Sequence, residues 1–345
     1  MEFSLFSASA VFPGALPHPV FIMTSLGPIF ADDLARVKPG DRLRLTISAQ
    51  TSDAAALAQA ALEARARGER VLVVCAAPAD VPRLAQEMPW FEPKLDVRPL
   101  PDWETLPYDV LSPQEELVSE RLEALYRLTA PTGGADVLLT SAVTASQRLS
   151  PVSYIGANTF FFHQGEQISL TTLQKRLAAA GYANVKQVLA AGEFAVRGSI
   201  VDVFPMGSER PFRLDFFDDE IESIRWFDVD TQRSMESAEE IRLLPGHEFP
   251  VDPEALLAFR QRWRREFAGD PKKSIVYCDI EKEILPPGIE YYLPLFFDET
   301  AALTDYLPPN ARVFLLGDIE AALQAFGRDM ASRYKVLAAD PQRPA

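Results

Sequence analysis

Short apolar runs alternate with helix-forming stretches along the first 150 residues. The run over 71–75 is continuous and apolar, as is typical of a parallel strand buried on both faces, and residues 136–140, with an apolar centre, predict a further buried strand. The alanine-rich stretch over 53–67, which Gly68 follows, predicts a helix before the first of these strands. Residues 80–88 predict a further helix and residues 97–100 a further strand. This alternation predicts an α/β layer with a mostly parallel sheet.

The same pattern returns in the last third of the chain. Pro253–Phe267 carries apolar residues at the spacing of one buried helical stripe, while 313–316 predicts a buried strand and 319–326 a helix. The simplest architecture is one α/β domain whose sheet is completed by the C-terminal third. Near position 112, the run Ser112-Pro113-Gln114-Glu115 combines an N-cap serine, a first-turn proline and a capping-box glutamate. It predicts that another helix starts at Pro113.

Between about Pro151 and Pro245 the pattern changes to that of a smaller α+β unit. One helix is predicted, over 171–180, with Gly181 after it. Strand-like runs surround it, and they cover residues 158–163, 192–198, 199–204, 212–217 and 221–228.

One of these strands carries an aromatic residue on the wrong face for a core. Side chains of a strand alternate between its two faces, so Phe212, Leu214 and Phe216 share the core face. Arg213, Asp215 and Phe217 therefore share the other. A phenylalanine beside an arginine and an aspartate on a solvent face has the composition of a contact surface.

Charge argues against nucleic acid as the main partner. Lys plus Arg number 34 and Asp plus Glu 49, which gives a net charge of −15. A phosphate backbone is bound by clustered cations, so the bulk field of this chain disfavours DNA. The arginines within 260–265 keep direct DNA binding open as an alternative, although a solvated helix face explains them more simply.

The cysteines, the histidines and the N-terminal segment do not indicate a disulfide, a metal site or a targeting signal. Cys75 and Cys278 form neither a disulfide framework nor a zinc spacing, and the three histidines are scattered, so we expect no metal site and a reducing, cytoplasmic location. Neither lysine nor arginine precedes Arg36, and four prolines interrupt the apolar residues 1–30. This segment is therefore predicted to be neither a secretory signal nor a membrane helix, but a loosely ordered extension, or sequence upstream of a start at Met23.

No phosphate loop is found where an α/β nucleotide site would have one. The stretch Thr46–Asp53 before the first long helix has no glycine and no lysine, so we expect no ATP site and no cofactor. Asp102 and Glu104 suggest an acid/base pair, but a loop anchored by Trp103 and Tyr108 is the simpler interpretation. The acidic run 218–220 is read as a hairpin turn in preference to a metal site.

Three longer motifs resemble a known family. Residues 100–109 (LPDWETLPYD) and the run from Gly192 through Ile221 look like signatures of the bacterial transcription-repair coupling factors (Mfd). Residues 288–297 are similar to a segment that this family shares with the excision-repair helicase UvrB. The resemblance covers about residues 38–335.

The resemblance implies a domain organisation. Residues 38–150 and 246–335 would form a degenerate RecA-like (P-loop NTPase-like) domain in two segments. Residues 151–245 would be an inserted α+β domain resembling UvrB domain 2, which binds the damage-recognition ATPase UvrA. Residues 1–37 would be a poorly ordered extension, and 336–345 a linker or a truncation point.

The resemblance also implies a function. The family's UvrA-contacting residues fall on Arg197, Arg213 and Phe217, and the last two agree with the strand alternation. The chain would be an adaptor that recruits UvrA to stalled RNA polymerase in transcription-coupled nucleotide excision repair, without being an enzyme itself. A full-length parent would be an ATP-dependent DNA translocase that contacts RNA polymerase and DNA through regions absent here. A nucleotide-dependent helicase or translocase fragment is the alternative.

From sequence alone, Arg213→Ala or Phe217→Ala is expected to weaken UvrA binding and to leave the melting temperature nearly unchanged.

Overall fold

The computed structural model describes residues 20–23, 41–45, 50–130, 134–337, 340 and 342–343. The strands are β1 (Val20–Met23), β2 (Arg42–Leu45), β3 (Val71–Cys75), β4 (Val97–Leu100), β5 (Val137–Ser141), β6 (Phe160–His163), β7 (Ala183–Asn184), β8 (Glu193–Arg197), β9 (Ile200–Val203), β10 (Phe212–Phe217), β11 (Glu220–Phe227), β12 (Ser234–Ala238), β13 (Glu240–Leu243) and β14 (Arg312–Leu316). The α-helices are α1 (Gln50–Ala66), α2 (Asp80–Phe91), α3 (Glu115–Thr129), α4 (Ala142–Ser146), α5 (Val152–Ala157), α6 (Leu170–Ala179), α7 (Pro253–Glu266), α8 (Ile275–Glu281) and α9 (Ile319–Leu337). Short 3-10 helices cover Pro271–Lys273, Ile289–Leu295 and Leu303–Tyr306.

A parallel six-stranded sheet forms the first layer, with strand order β2-β1-β14-β3-β5-β4. Strand β14 lies between β1 and β3, with Val313 opposite both Val20 and Leu72. The C-terminal third therefore completes the sheet, as the sequence pattern predicts. The apolar runs of β3 and β5 are buried along their whole length because helices cover both faces.

The smaller unit contains a second six-stranded sheet, ordered β12-β11-β10-β9-β8-β7. Helix α6 packs on its inner face, where Leu173 and Leu177 join Val201, Leu214 and Phe216 in one apolar cluster. That cluster continues without a break into the core under the parallel sheet. The mixed α/β fold predicted from the sequence is thus confirmed, while the exact domain boundaries stay a prediction.

An aromatic cluster organises the region after β13. Helix α7 starts where Asp252 accepts hydrogen bonds from the backbone N–H groups of Glu254 (3.0 Å) and Ala255 (3.1 Å), a regular N-cap. Its predicted stripe is buried, with Phe259 and Trp263 at the centre of the cluster. The arginines that flank this stripe make local contacts, as in the ion pair of Arg262 with Asp298 (2.6 Å) and that of Arg265 with Glu266 (3.0 Å).

Two helix boundaries predicted from sequence are wrong. Helix α3 begins at Glu115 and not at Pro113, because the Ser112 hydroxyl is used for a tertiary contact. It donates to Glu290 Oε2 (2.9 Å) and accepts from the Gly288 N–H (3.1 Å), which ties the loop before α3 to the segment over 288–290. Helix α9 continues from Ile319 to Leu337, well beyond the predicted end at Phe326.

One histidine gives the fold a pH dependence. The His247 ring is half-buried, stacks on Phe249 (5.4 Å between ring centroids) and packs against Gly181, where a Cβ would lie 2.8 Å from the ring. Burial lowers the pKa of His247 from 6.5 to about 4. The unfolded chain therefore binds the proton first as the pH falls, so this residue's contribution to stability is complete above pH 6.5 and is lost toward pH 4.

We expect the titration of His247 to lower the free energy of unfolding by about 1–2 kcal/mol as the pH drops from 7 to 4. A full shift to about 4 corresponds to roughly 3 kcal/mol, and the exposed edge of the ring reduces that figure. Urea denaturation of His247→Gln beside the unaltered chain measures it. The variant should show a shallower loss of stability over this interval, and equal slopes would contradict the assignment.

Candidate partner-binding surface

The outer face of the small sheet is shaped by two tight hairpins at one end. The β8–β9 hairpin turns at Gly198 (φ 63°) and the β10–β11 hairpin at Asp218 (φ 51°). The Phe216 N–H donates to the Ser199 carbonyl (2.9 Å), which joins the two turns. Arg197 and Phe217, the last residues of β8 and β10, are therefore brought to the same end of the sheet.

Alternation along β10 follows the sequence prediction. Phe212, Leu214 and Phe216 are buried, whereas Phe217 is 69% exposed. Arg213 shares the outer face with Phe217. The contact-surface composition inferred from the sequence is thus present on a solvent-facing edge.

The outer face divides into a covered half and an open half. On the covered half, Val188, Ala195 and Phe227 form a small core beneath the loops that flank the sheet. The open half contains Phe217 and exposes, wholly or in part, the side chains of Ile200, Asp215, Ser223 and Arg225. These residues share one face because their strands pair in register, with Asp215 opposite Ile200 and Ser223, and Arg213 opposite Arg225.

A buried carboxylate lies at the boundary between the two halves. Asp202 of β9 is 0% exposed and stands opposite Arg213 in the sheet. Arg213 donates from Nε to Oδ1 (2.6 Å) and from Nη2 to Oδ2 (2.9 Å), and Arg197 Nη2 donates to Oδ2 as well. The hydrogen bonds to Asp202 raise the pKa of Arg213 above its ordinary value. Asp202 therefore joins two of the three residues assigned to partner binding.

The two arginines differ in what they offer to a partner. Arg213 is 14% exposed at its side chain, donates to the Gln232 carbonyl (3.1 Å) and Ser234 Oγ (3.3 Å), and stacks over Phe227 at 4.9 Å. Its guanidinium is thus mostly committed inside the domain, which sequence alternation alone did not indicate. Arg197 is 47% exposed, and its Asp202 contact leaves most of its donors available.

The other candidate residues from the sequence stabilise loops and turns in the part of the chain that the structure describes. Asp102 accepts from the Glu104 N–H (3.0 Å) and from Thr144 Oγ1 (2.8 Å), and Trp103 is buried beside it, as the loop interpretation predicts. Asp218 sits in the hairpin turn. No cluster of three or more His, Cys, Asp or Glu with the arrangement of a metal site occurs in the described part of the chain.

Only part of the stretch in which a phosphate loop would lie is described by the structure. Residues 46–49 of the stretch without a phosphate loop lie outside the described residues, as do most residues of the predicted N-terminal extension. Within that extension, Val20–Met23 are not loosely ordered, because they form β1 and pair with both β14 and β2. Asp53, in the first turn of α1, pairs with Arg83 of α2 at 2.7 Å and 3.0 Å. This carboxylate ties the two helices together. Among the helices that the structure describes, none is both long and apolar enough to cross a membrane.

Comparison with known proteins supports the resemblance seen in the motifs. The family model of the UvrB interaction domain matches residues 160–249, which contain the whole outer-face surface. The transcription-repair-coupling factor of Escherichia coli K12 is 44% identical over 263 residues, or 76% of this chain. The corresponding proteins of Haemophilus influenzae and Bacillus subtilis are 45% and 32% identical over 72% and 58% of the chain.

The chain spans less than a quarter of the length of these relatives. The aligned part covers 23% of the Escherichia coli protein, 22% of that from Haemophilus influenzae and 18% of that from Bacillus subtilis. The resemblance to the transcription-repair coupling factors is confirmed for the UvrB-like part of those proteins.

Proposed function

We propose that this chain, which carries the UvrB-like module of the transcription-repair-coupling factors, is an adaptor that binds UvrA through the outer face of its small sheet. Arg197 and Phe217 would contact the partner directly. Arg213 would support them from beneath through Asp202. In this role the module recruits UvrA to stalled RNA polymerase during transcription-coupled excision repair, in the cytoplasm.

The exposed Phe217 carries this proposal. A phenylalanine that is 69% exposed, next to a hairpin turn and at the same end of the sheet as Arg197, has the properties of an interface anchor. It lies inside the segment matched by the UvrB interaction domain. Two hairpins and the Phe216–Ser199 hydrogen bond fix its position before any partner arrives, which lowers the entropy cost of binding.

The remaining parts of the chain would act as a scaffold. We propose that the parallel sheet with β14 inserted is a degenerate RecA-like domain that binds no nucleotide, since the stretch before α1 lacks the glycines and lysine of a phosphate loop. Contacts with RNA polymerase and DNA, and ATP-driven translocation, would belong to other regions of a full-length parent. Purified chain is expected to show no ATP hydrolysis above buffer, and turnover that rises with chain concentration would favour the translocase alternative.

The direct test is replacement of Phe217 by alanine. We expect binding to purified UvrA to weaken by at least about 30-fold, because truncation of an anchor costs on the order of 2 kcal/mol or more. The urea denaturation midpoint should stay within experimental error of the parent, since the ring is mostly solvated. Calorimetry or interferometry with immobilised chain measures the affinity.

Phe161→Ala is the matched control. Phe161 is also exposed and lies in the same domain, on the separate two-stranded sheet formed by β6 and β13. We expect it to leave UvrA binding unchanged. Equal affinities for Phe217→Ala and the parent would exclude the proposed surface, whereas equal losses for both variants would indicate a general effect of apolar area.

A further inference from the structure

Arg225 is an exposed cation of the open half, next to its boundary with the covered half. It stands opposite Arg213 on one side and Ser237 on the other, so it shares the outer face with both. Its side chain is exposed, and its guanidinium makes no hydrogen bond, ion pair or ring contact with any described residue. A guanidinium with all its donors available on a contact surface is suited to carboxylates.

The outer face carries charges of both signs. Arg197 and Arg213 share the single carboxylate of Asp202, which leaves one positive charge uncompensated. Arg225 adds another, while Asp215, which accepts a hydrogen bond from Ser223 Oγ (2.8 Å), and Glu220, which stands opposite Phe217, place negative charge on the same face. The exposed guanidinium groups of Arg197 and Arg225 are therefore individual cationic contact points and not parts of a broad positive field.

Asp202 also determines where Arg197 is held. A free arginine side chain loses rotamer freedom when a partner orders it, and this loss weakens binding. Here one Nη group is already bound to a carboxylate that is itself fixed by two hydrogen bonds from Arg213. This clamp, in which the Asp202 carboxylate holds the guanidinium groups of Arg197 and Arg213, therefore orders Arg197 before binding. It leaves the other donors of Arg197 for a partner.

We propose, on the premise of the function given above, that Arg197 and Arg225 pair with carboxylates of UvrA, which makes Arg225 a further contact residue, and that Asp202 is a positioning residue for Arg197. The outer face then acts as one unit, with Phe217 as the apolar anchor and the guanidinium groups of Arg197 and Arg225 on the same face. Electrostatic complementarity of this kind speeds association and makes it sensitive to salt.

The contact role of Arg225 is tested by charge reversal. Arg225→Glu should weaken UvrA binding by about 10-fold or more near 50 mM salt, and by less near 300 mM, because salt screens exposed charges. Lys175→Glu is the matched control, since Lys175 is an exposed cation of α6, on the opposite side of the same sheet. Equal effects of the two reversals, or no effect of Arg225→Glu, would overturn this part.

The positioning role of Asp202 is tested by a double-mutant cycle. Asp202→Asn should weaken binding by roughly 3-fold to 10-fold in the parent chain, but by less than 2-fold when Arg197 is already alanine. Affinities are taken from the folded fraction, which denaturation curves define for each variant. A purely structural role would give the same factor in both backgrounds and would overturn the assignment.

The Phe217→Ala arm separates this inference from the function on which it rests. If Phe217→Ala leaves UvrA binding intact, the proposed function itself is wrong. If Phe217→Ala weakens binding while Arg225→Glu behaves like Lys175→Glu, only the electrostatic inference fails.

Discussion

Replacement of Arg121 by alanine is expected to lower the free energy of unfolding by about 3–5 kcal/mol, the cost of breaking a buried ion pair from one side. Arg121 is fully buried and donates to Glu248 from Nε (2.6 Å) and Nη2 (3.2 Å) and to the Pro101 carbonyl from Nη1 (2.7 Å). Trp103 donates its Nε1–H to the same carboxylate (3.0 Å) and lies 4.9 Å beneath the guanidinium. Without Arg121, the Glu248 charge stays buried, and among the described residues Trp103 is the one side chain that still donates to it.

This network links three segments that are distant in sequence. Pro101 and Trp103 follow β4, Arg121 lies on α3, and Glu248 comes after β13. Its loss should therefore loosen the contact between the parallel sheet and the region after β13, and not only one loop. Urea denaturation at pH 7 measures the effect.

Two further variants show whether the loss of stability in Arg121→Ala comes from the unpaired charge of Glu248. The double variant Arg121→Met with Glu248→Gln keeps an acceptor for Trp103 and removes both charges, so it should recover most of the lost stability. Arg265→Ala removes an exposed partner of Glu266 and should cost less than about 1 kcal/mol. A double variant as unstable as Arg121→Ala would contradict the charge explanation.

Most of the fold was predictable because its signals are local. The strand Val71–Cys75 was predicted to the residue, since this apolar run is short, rich in β-branched valine and followed closely by Pro78, which favours a buried strand over a helix. The insertion of β14 followed from the return of the same pattern in the last third. The start of α3 was not predictable, because Ser112 carries a regular cap signature and uses its hydroxyl on a segment 176 residues away.

The candidate surface was predictable only in part. Alternation within β10 placed Phe217 and Arg213 on one face, and this required only the period of a strand. The burial of Arg213 depends on the loop around Gln232 and on Asp202 of the neighbouring strand, which is tertiary information. A single carboxylate in the apolar run over 200–204 was the one signal that pointed to the clamp.

Replacement of Arg213 by alanine is expected to lower both stability and UvrA binding, in contrast to the nearly unchanged melting temperature predicted from sequence alone. Asp202 would keep only the half-exposed Arg197 as a partner, so the free energy of unfolding should fall by about 3 kcal/mol at pH 7. The loop over 228–233 would also lose its tether to β10. Arg197, without its ordered neighbour, should bind the partner less well.

The double variant Arg213→Ala with Asp202→Asn tests this account of Arg213. It removes the buried charge along with its partner, so it should be more stable than Arg213→Ala alone by about 1–2 kcal/mol and should still bind UvrA weakly. Phe217→Ala, by comparison, should lose binding with its denaturation midpoint unchanged. An Arg213→Ala chain that unfolds at the parent's urea concentration but no longer binds UvrA would mean that this guanidinium contacts the partner directly. The clamp between β9 and β10 would then contribute little to the fold.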